Sequence, residues 1–276
     1  MRISKTKIRA FQTKILTWWE KNKRTLPWRL THDPYKIFVS EVMLQQTQVS
    51  RVYPVYLKFI AKFPTVTSLA HASTAEVLRD WKGMGYNSRA LYLKNASVVI
   101  AKNFGGKFPE SEKELLMLPG IGKYTARAIL VFAYQKHEAM IDTNIRQIIT
   151  HFFFDGVSQK EEVIEDIAMQ LVPRGKSWEW HQALMDYGAL ALSTDKKIQG
   201  KLKPMRKKPS KPFHETDRFF RGRVMDALRE KTYEEGELLT YMVEFYGKEK
   251  EFFIRIFTGL EKDGLVRRKM GTIRLP

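Results

Sequence analysis

Apolar side chains recur every three to four positions along most of the chain, with short polar turns between the runs. Residues 87–102, for example, carry Leu91, Leu93, Ala96, Val98, Val99 and Ala101, and Gly105 and Gly106 end the run. Three further runs open with a serine followed three residues later by glutamate, at Ser73, Ser111 and Ser158. Residues 11–193 contain no long alternating run. The pattern therefore predicts a mostly α-helical first part.

The pattern changes after residue 195. Eight of the sixteen residues 196–211 are Lys or Arg and none is acidic, which predicts a basic linker over 196–212. Such a segment would lie against a phosphate backbone, although a plain solvated linker has the same composition. The domains predicted on this basis are residues 1–195, and a small one over 213–276 after the linker.

The last 64 residues alternate between helical runs and turns. Helices are predicted over 219–230, 234–246 and 249–263, and a two-stranded hairpin around Met270 and Gly271. Three helices followed by a basic hairpin is the order of a winged helix, a DNA-binding variant of helix-turn-helix. Other small domains without nucleic acid share this order, so the pattern favours a winged helix without requiring one.

Composition narrows the class of partner. The 276 residues carry a net charge of +18, which indicates a polyanion or an acidic membrane surface. No run of eighteen apolar residues exists, and the N-terminus lacks the apolar core of a signal peptide, so we expect a cytoplasmic, nucleoid-associated protein. Without cysteine there is no thiolate to bind an iron–sulfur cluster, and the six histidines show no metal-ligand spacing.

Two acids and a glycine turn carry the candidate chemistry. Glu41 follows the apolar residues 37–39, where burial would raise its pKa and keep it protonated as a general acid. Asp142 precedes a predicted helix, whose N-terminus would keep it ionised, although a simple N-cap has the same position. Between them, Gly120 and Gly122 would let the backbone approach a phosphate. Cleavage of a glycosidic bond needs an acid for the leaving base and a carboxylate for the sugar cation.

Several stretches of the chain resemble motifs of a known protein family. Leu26-Pro27-Trp28-Arg29, residues 40–49 (SEVMLQQTQV), Gly83 to Tyr86, Leu118 to Thr125, Asp142 to Asn144 and residues 182–189 follow in order over roughly residues 5–195. Together they resemble the helix-hairpin-helix DNA glycosylase superfamily, and within it the MutY family of adenine glycosylases. The resemblance implies a mostly α, two-lobed glycosylase fold, followed here by the winged-helix-like domain.

The resemblance also implies roles for individual residues. Glu41 would protonate adenine, Asp142 would stabilise the sugar cation, and Tyr124 and Asn144 would line the same pocket. The flipped base and its acid would be held by Trp28, Arg29, Leu44 and Asp186. Taken alone, Trp28 and Leu44 could be core residues, Asp186 a surface acid and Tyr86 a packing aromatic.

Contacts to DNA are implied as well. Gln46 and Tyr86 would enter the duplex around the opposing purine. The remaining DNA contacts would come from Gln45, Gln48, Met84, Gly120, Gly122, Lys123, Lys207 and Lys208. The hairpin carbonyls would hold a sodium or potassium ion at Leu116, Leu118 and Ile121.

Three departures from the family pattern bear on function. The four cysteines that usually ligate a [4Fe–4S] cluster are absent, so we expect a form lacking the cluster and no required cofactor. Residues 213–276 are too few for the pyrophosphohydrolase-like domain that helps relatives to read 8-oxoguanine. A second aromatic common after Tyr86 is here Asn87. The opposing-base preference therefore stays open.

We expect a monomeric, monofunctional glycosylase that acts on double-stranded DNA and removes adenine mispaired with 8-oxoguanine or guanine. Thymine glycosylases for G·T mismatches share the hairpin and a tyrosine at the position of Tyr124, but lack the run LQQTQV. A catalytically silent DNA-binding protein is the alternative from another class, and both acids at family spacing argue against it.

Overall fold

The computed structural model describes residues 2–192 and 211–276. Residues 2–192 contain helices and turns and no strand, which confirms the mostly α fold class. Their helices are α1 (Lys5–Asn22), α2 (Pro34–Leu44), α3 (Val49–Lys62), α4 (Val66–His71), α5 (Thr74–Asp80), α6 (Ser88–Asn103), α7 (Glu112–Leu115), α8 (Lys123–Phe132), α9 (Thr143–Phe154), α10 (Glu161–Leu171) and α11 (Ser177–Asp186). A π-helical turn, Tyr187–Leu192, continues α11.

The serine signals mark two of the three helix starts correctly. Ser73 and Glu76 form a complete capping box at α5, and the Ser111 hydroxyl accepts the Glu114 backbone N–H at α7. The prediction at Ser158 is wrong, because α10 begins at Glu161 with Lys160 as its N-cap.

The described residues form two compact units, of which the first comprises residues 2–41, 109–117 and 121–192. Its core lies among α1, α9, α10 and α11, with Phe11 in edge contact with Phe153 and Trp180. This core fixes the start of α9 and the end of α11, where several candidate site residues lie.

The second unit comprises residues 42–108, 118–120 and 211–276, so the C-terminal helices belong to the same unit as α3 to α6. Arg229, which is 8% exposed, links the two segments. Its guanidinium donates to the Leu78 carbonyl at 2.9 Å and to the Asn87 side chain at 2.9 Å. A second link between these segments is the ion pair of Lys82 with Glu230, at 2.8 Å. Lys82 lies near Leu78 in the sequence, and Glu230 follows Arg229.

The C-terminal elements follow the predicted order closely. They are α12 (Asp217–Glu230), β1 (Tyr233–Glu234), α13 (Glu235–Tyr246), α14 (Lys250–Lys262), β2 (Arg267–Lys269) and β3 (Thr272–Arg274), after a 3-10 turn at Phe213–Glu215. The hairpin turns at Met270 and Gly271, both with positive φ. The two-residue β1 was not predicted, and it pairs with β3 to give the order β1-β3-β2. A helix, strand, helix, helix and hairpin is the element order of a winged helix.

The basic linker cannot be compared with its prediction. Residues 193–210, which include Lys207 and Lys208, lie outside the described residues, and the predicted domain boundaries stay a prediction. None of the described helices has the length and apolar character needed to cross a membrane.

Candidate active site

Glu41 is a buried acid near the C-terminal end of α2. Its side chain is 4% exposed, and the neighbours Phe38 and Val42 are also buried. Burial raises the pKa of Glu41 to about 7. A hydrogen bond with Tyr124 and the charge of Arg29 oppose this rise, while the negative charge of Asp142 adds to it. Both the protonated and the ionised form of Glu41 are therefore populated near neutral pH.

Tyr124 lies in the first turn of α8 and connects the two acids electrostatically. Burial and the negative charges of Glu41 and Asp142 hold the pKa of its phenol well above the usual value. The phenol therefore stays protonated and can donate a hydrogen bond to the Glu41 carboxylate. Its backbone position is set by Gly122, the N-cap residue of α8.

Asp142 is the N-cap of α9, so the alternative reading as an N-cap is correct and describes the same geometry as the candidate site. Its carboxylate accepts the Ile145 backbone N–H at 2.7 Å and the Asn144 side-chain N–H at 3.2 Å. Burial nevertheless raises the pKa of Asp142 above its ordinary value, with these hydrogen bonds opposing the rise. The helix N-terminus lowers this pKa, as expected from the sequence, but the rise caused by desolvation is larger.

The position of Asn144 depends on a glycine that sequence reasoning did not single out. A Cβ on Gly188, in the π-helical turn, would lie 2.6 Å from the Asn144 Cβ. Any larger residue at position 188 would therefore displace Asn144, which orients Asp142. The two residues lie far apart in sequence, and no local pattern predicts their contact.

His181 supports the segment that leads to Asp142. One ring nitrogen accepts the Met140 backbone N–H at 3.2 Å, and the other donates to the Ser177 carbonyl at 2.7 Å. Burial lowers the pKa of His181 to about 4, so the ring is neutral at pH 7. The neutral tautomer satisfies both partners, and this support was also missed by sequence reasoning.

Asp186 is fully buried, so the alternative reading as a surface acid is wrong. Arg29 donates to both carboxylate oxygens, at 2.7 and 2.9 Å, and Arg24 donates from its side chain at 2.6 Å. Trp19 adds a third donor at 3.0 Å. Burial alone would raise the pKa of Asp186, but the arginine hydrogen bonds and charges outweigh it and lower the pKa.

This network gives Asp186 a positioning role, while its predicted part in holding the flipped base and its acid stays a prediction. With its oxygens already bound by Arg29 and Arg24, the carboxylate holds the arginine side chain of Arg29 in place. Trp28, in the 3-10 turn Pro27–Arg29, is 7% exposed, as the core alternative required, and Leu44 is half-buried at the end of α2.

Gln46 and Tyr86 share an uncommon backbone conformation within the second unit. Their φ angles are +53° and +45°, in the left-handed region that non-glycine residues rarely adopt. Such conformations cluster at functional sites where surrounding structure enforces them, but they also occur at ordinary turns of this chain, as at Asp155 and Met270. The predicted insertion of both side chains into DNA stays a prediction, and Gln48 is exposed while Gln45 is half-buried.

Arg89 enforces the geometry of both loops. Its buried guanidinium donates to the carbonyls of Val42, Met43 and Gln45 on one side. On the other side it donates to the carbonyls of Met84 and Gly85. Met84 itself is 2% exposed, so its side chain packs inside the loop, and its predicted contact with DNA stays a prediction.

The glycine hairpin between α7 and α8 requires Gly120 for two reasons. Its φ is +74°, and a Cβ there would lie 2.5 Å from the Tyr92 Cβ. Gly122 has an ordinary φ, and a Cβ there would meet open space. Its predicted closeness to phosphate stays a prediction.

Two further predictions concern the hairpin: a DNA contact by Lys123 and a cation bound at the backbone carbonyls. The ammonium of Lys123 forms an ion pair with Glu165 at 2.5 Å, so a DNA phosphate would have to compete with this carboxylate. Leu118 and Ile121 are buried and Leu116 is 45% exposed. The cation at their carbonyls stays a prediction, and no cluster of three or more His, Asp or Glu able to hold a metal occurs in the described ranges.

Comparison with known proteins assigns the family. Residues 39–174 match the model of the HhH-GPD superfamily base excision DNA repair protein. An adenine DNA glycosylase of Mycolicibacterium smegmatis is 36% identical over 235 residues, which cover 79% of this chain and 80% of that protein. The chain belongs to the HhH-GPD superfamily. The predicted resemblance to MutY-like glycosylases and the predicted enzyme class, a DNA glycosylase, are thereby confirmed.

Other relatives differ in the base that their names specify. A thymine/uracil-DNA glycosylase of Methanothermobacter thermautotrophicus is 34% identical, over 67% of this chain and 85% of that protein. An adenine DNA glycosylase of Buchnera aphidicola is 37% identical over 66% of this chain, which spans 52% of that longer protein. The HhH-GPD membership assigns the chain to base excision DNA repair, whereas the names of its relatives differ in the base removed.

Solved structures agree on the fold. A thermostable thymine-DNA glycosylase is similar with a TM-score of 0.64 and 32% identity, over 69% of this chain and 90% of that one. An endonuclease III trapped on DNA has a TM-score of 0.59 at 17% identity, over 67% and 86% of the chains. The second likeness concerns the fold alone.

Proposed function

We propose that this HhH-GPD enzyme excises adenine mispaired with 8-oxoguanine or guanine and leaves an abasic site. The observation that carries the proposal is the buried Glu41, whose pKa of about 7 keeps a proton available at neutral pH. A departing adenine has basic ring nitrogens that can accept this proton. A departing thymine has no comparably basic ring nitrogen, so a general acid at this position serves it less well.

The two acids divide the work between base and sugar. Glu41 protonates adenine at N7, which weakens the glycosidic bond and leaves Glu41 as a carboxylate. Positive charge then develops on the deoxyribose, and Asp142 stabilises or captures this cation. Glu41, now anionic, accepts a proton from the attacking water, and the abasic sugar is released.

Neighbouring groups keep each acid in its role. Tyr124 donates its O–H to Glu41, which favours the carboxylate once the proton has left. Asn144 and the Ile145 backbone N–H hold Asp142 in one orientation. The Arg29–Asp186 network, together with Trp28, would form a wall of the base pocket.

Tyr124 also supports a monofunctional reaction. Glycosylases that cut the strand use a lysine amine, which forms a Schiff base with the sugar. A phenol with a strongly raised pKa provides no such amine. Hydrolysis is therefore the expected fate of the sugar cation.

Thymine removal from G·T mismatches is the second candidate function, because a thymine/uracil glycosylase and a thymine-DNA glycosylase structure are 34% and 32% identical to this chain. Single-turnover assays on duplexes with A opposite 8-oxoguanine, A opposite G, A opposite C and T opposite G would separate the two. Faster release of adenine opposite 8-oxoguanine or guanine supports the proposal. Preferential release of thymine contradicts it, and no release from any duplex would favour a binding protein.

A further inference from the structure

The C-terminal helix α12 brings a cation to one of the predicted DNA-inserting residues. The Arg218 guanidinium lies over the Tyr86 ring, 3.7 Å from its centroid, and 5.8 Å from the centroid of Phe213. Arg89 approaches the same tyrosine ring at 5.3 Å. All four residues belong to the second unit.

Tyr86, Phe213 and Arg218 line an open cavity of about 570 Å³. Its wall includes Gln46 and the loop Gly83–Ser88 from the N-terminal segment, and Phe213, Arg218 and the following turns from the C-terminal segment. Five arginines and one aspartate contribute to the wall. The cavity is therefore basic, and it is wide enough for a nucleotide.

Arg218 differs from the other arginines of α12 in this wall. Arg221 pairs with Asp263, Arg223 with Asp226 at 2.7 Å, and Arg229 with Asp226 at 2.7 Å. Among the described residues, Arg218 forms no ion pair with a carboxylate. It is exposed, as is Phe213, which is 60% exposed. A stacked guanidinium without an anionic partner has its N–H donors available to a ligand.

The conformation of the two loops favours a stacked base as the ligand of this cavity. Gln46 and Tyr86 hold left-handed backbone conformations that Arg89 fixes by hydrogen bonds to both loops. Preorganised polar and aromatic groups of this kind suit a stacked base more than a flexible chain. The acceptors that a guanidinium recognises on DNA are purine carbonyl and ring nitrogen atoms, or a backbone phosphate.

We propose that Arg218 and Phe213 of the C-terminal domain, together with Gln46 and Tyr86, form a binding site for the nucleotide opposite the excised base. The C-terminal domain thereby supplies contacts to the complementary strand at the place where the opposing purine is read. The identity of the excised base rests on the proposed function, whereas the DNA contact does not.

The test measures binding of the full chain to duplexes that carry a tetrahydrofuran abasic analogue opposite 8-oxoguanine, guanine or cytosine. This probe is independent of whether adenine is the substrate, so failure of the proposed function and failure of this inference are distinguishable. The variants are Arg218→Gln, which removes the charge, Arg218→Lys, which keeps charge without the planar stack, and Phe213→Leu. Arg255→Gln is the control for net charge, since Arg255 is an exposed arginine of the same unit that pairs with Asp217 and does not line the cavity.

We expect Arg218→Gln to weaken binding roughly tenfold to duplexes with 8-oxoguanine or guanine, the scale of losing one good base contact. Arg218→Lys should recover only part of it, and Arg255→Gln should change affinity little. A loss that depends on the opposing base assigns Arg218 to the base edge. An equal loss for all duplexes, with a salt slope lower by about one unit, assigns it to the adjacent phosphate.

Unchanged binding by Arg218→Gln would overturn the proposal. Equal losses for Arg218→Gln and Arg255→Gln would overturn it as well, because net charge alone would then explain both. Urea unfolding of each variant provides the second measurement. Weaker binding together with reduced stability would mean that Arg218 only packs one segment against the other.

Discussion

The protonation of Glu41 predicts that the free energy of unfolding depends on pH in a way that a single substitution reveals. The pKa of Glu41 is about 7 in the folded protein and 4.5 for the free side chain. The folded state therefore holds a proton that the unfolded state releases between these values. Its stabilising contribution is complete below pH 4.5 and is lost as the pH rises through about 7.

The magnitude follows from the difference of about 2.5 pH units. At ~1.4 kcal/mol per unit, the contribution of the Glu41 proton to folding changes by about 3 kcal/mol. Glu41→Gln has a similar shape and does not titrate. We therefore expect the stability of Glu41→Gln, relative to the parent, to rise by about 3 kcal/mol between pH 4 and pH 8.

Urea unfolding of both proteins at several pH values measures this difference directly. Groups that titrate in the same range without interacting with Glu41, including His181, are present in both proteins and cancel in the difference. Glu20→Gln is the control, because Glu20 is exposed on α1 and its replacement should give a curve parallel to the parent. Parallel curves for Glu41→Gln, differing by less than ~1 kcal/mol over the whole range, would refute a buried neutral acid and with it the proton donor.

Three further predictions concern the reaction and DNA binding. Asp142→Asn should slow single-turnover excision by roughly 10²–10³-fold, the scale of removing one preorganised electrostatic group. It should also lower the pKa of Glu41 in the pH–rate profile, because the negative charge of Asp142 raises that pKa. An excision rate within tenfold of the parent would contradict the role of Asp142. Borohydride should fail to trap the wild-type protein on substrate DNA, with Tyr124→Lys as the comparison, and efficient wild-type trapping would reverse the monofunctional assignment. Neutralising the basic linker should weaken binding to all duplexes and reduce the salt slope by close to one unit per lost phosphate contact, whereas an unchanged slope would mean a plain solvated linker. The residues to neutralise are Lys203, Arg206, Lys207 and Lys208.

The sequence predicts local elements well because their signals are local. The helices predicted over 219–230, 234–246 and 249–263 are observed within two residues of those bounds. Strand β1 escaped prediction because two residues cannot show an alternating pattern. In the same way, the burial and the raised pKa of Glu41 were predictable from its apolar neighbours.

What the sequence could not provide are contacts between distant positions. Asp186 is buried because Arg24 and Arg29, more than 150 residues away, neutralise it. The approach of Gly188 to Asn144 and the hydrogen bonds of Arg89 to two loops are of the same kind. A lone arginine or glycine carries no sign of such a partner, so a pattern in one sequence cannot identify it.

The contrast between the two acids arises from their positions on helices. Burial raises both pKa values, yet Glu41 lies near the C-terminal end of α2, whereas Asp142 caps α9 and receives the Ile145 backbone N–H. Donors of this kind stabilise the charged form of Asp142, and that charge in turn favours the protonated form of Glu41. Each acid thus supports the state that the other needs. If Asp142 lost its helix donors, its carboxylate would be easier to protonate, and the pKa of Glu41 would fall as the neighbouring charge disappeared.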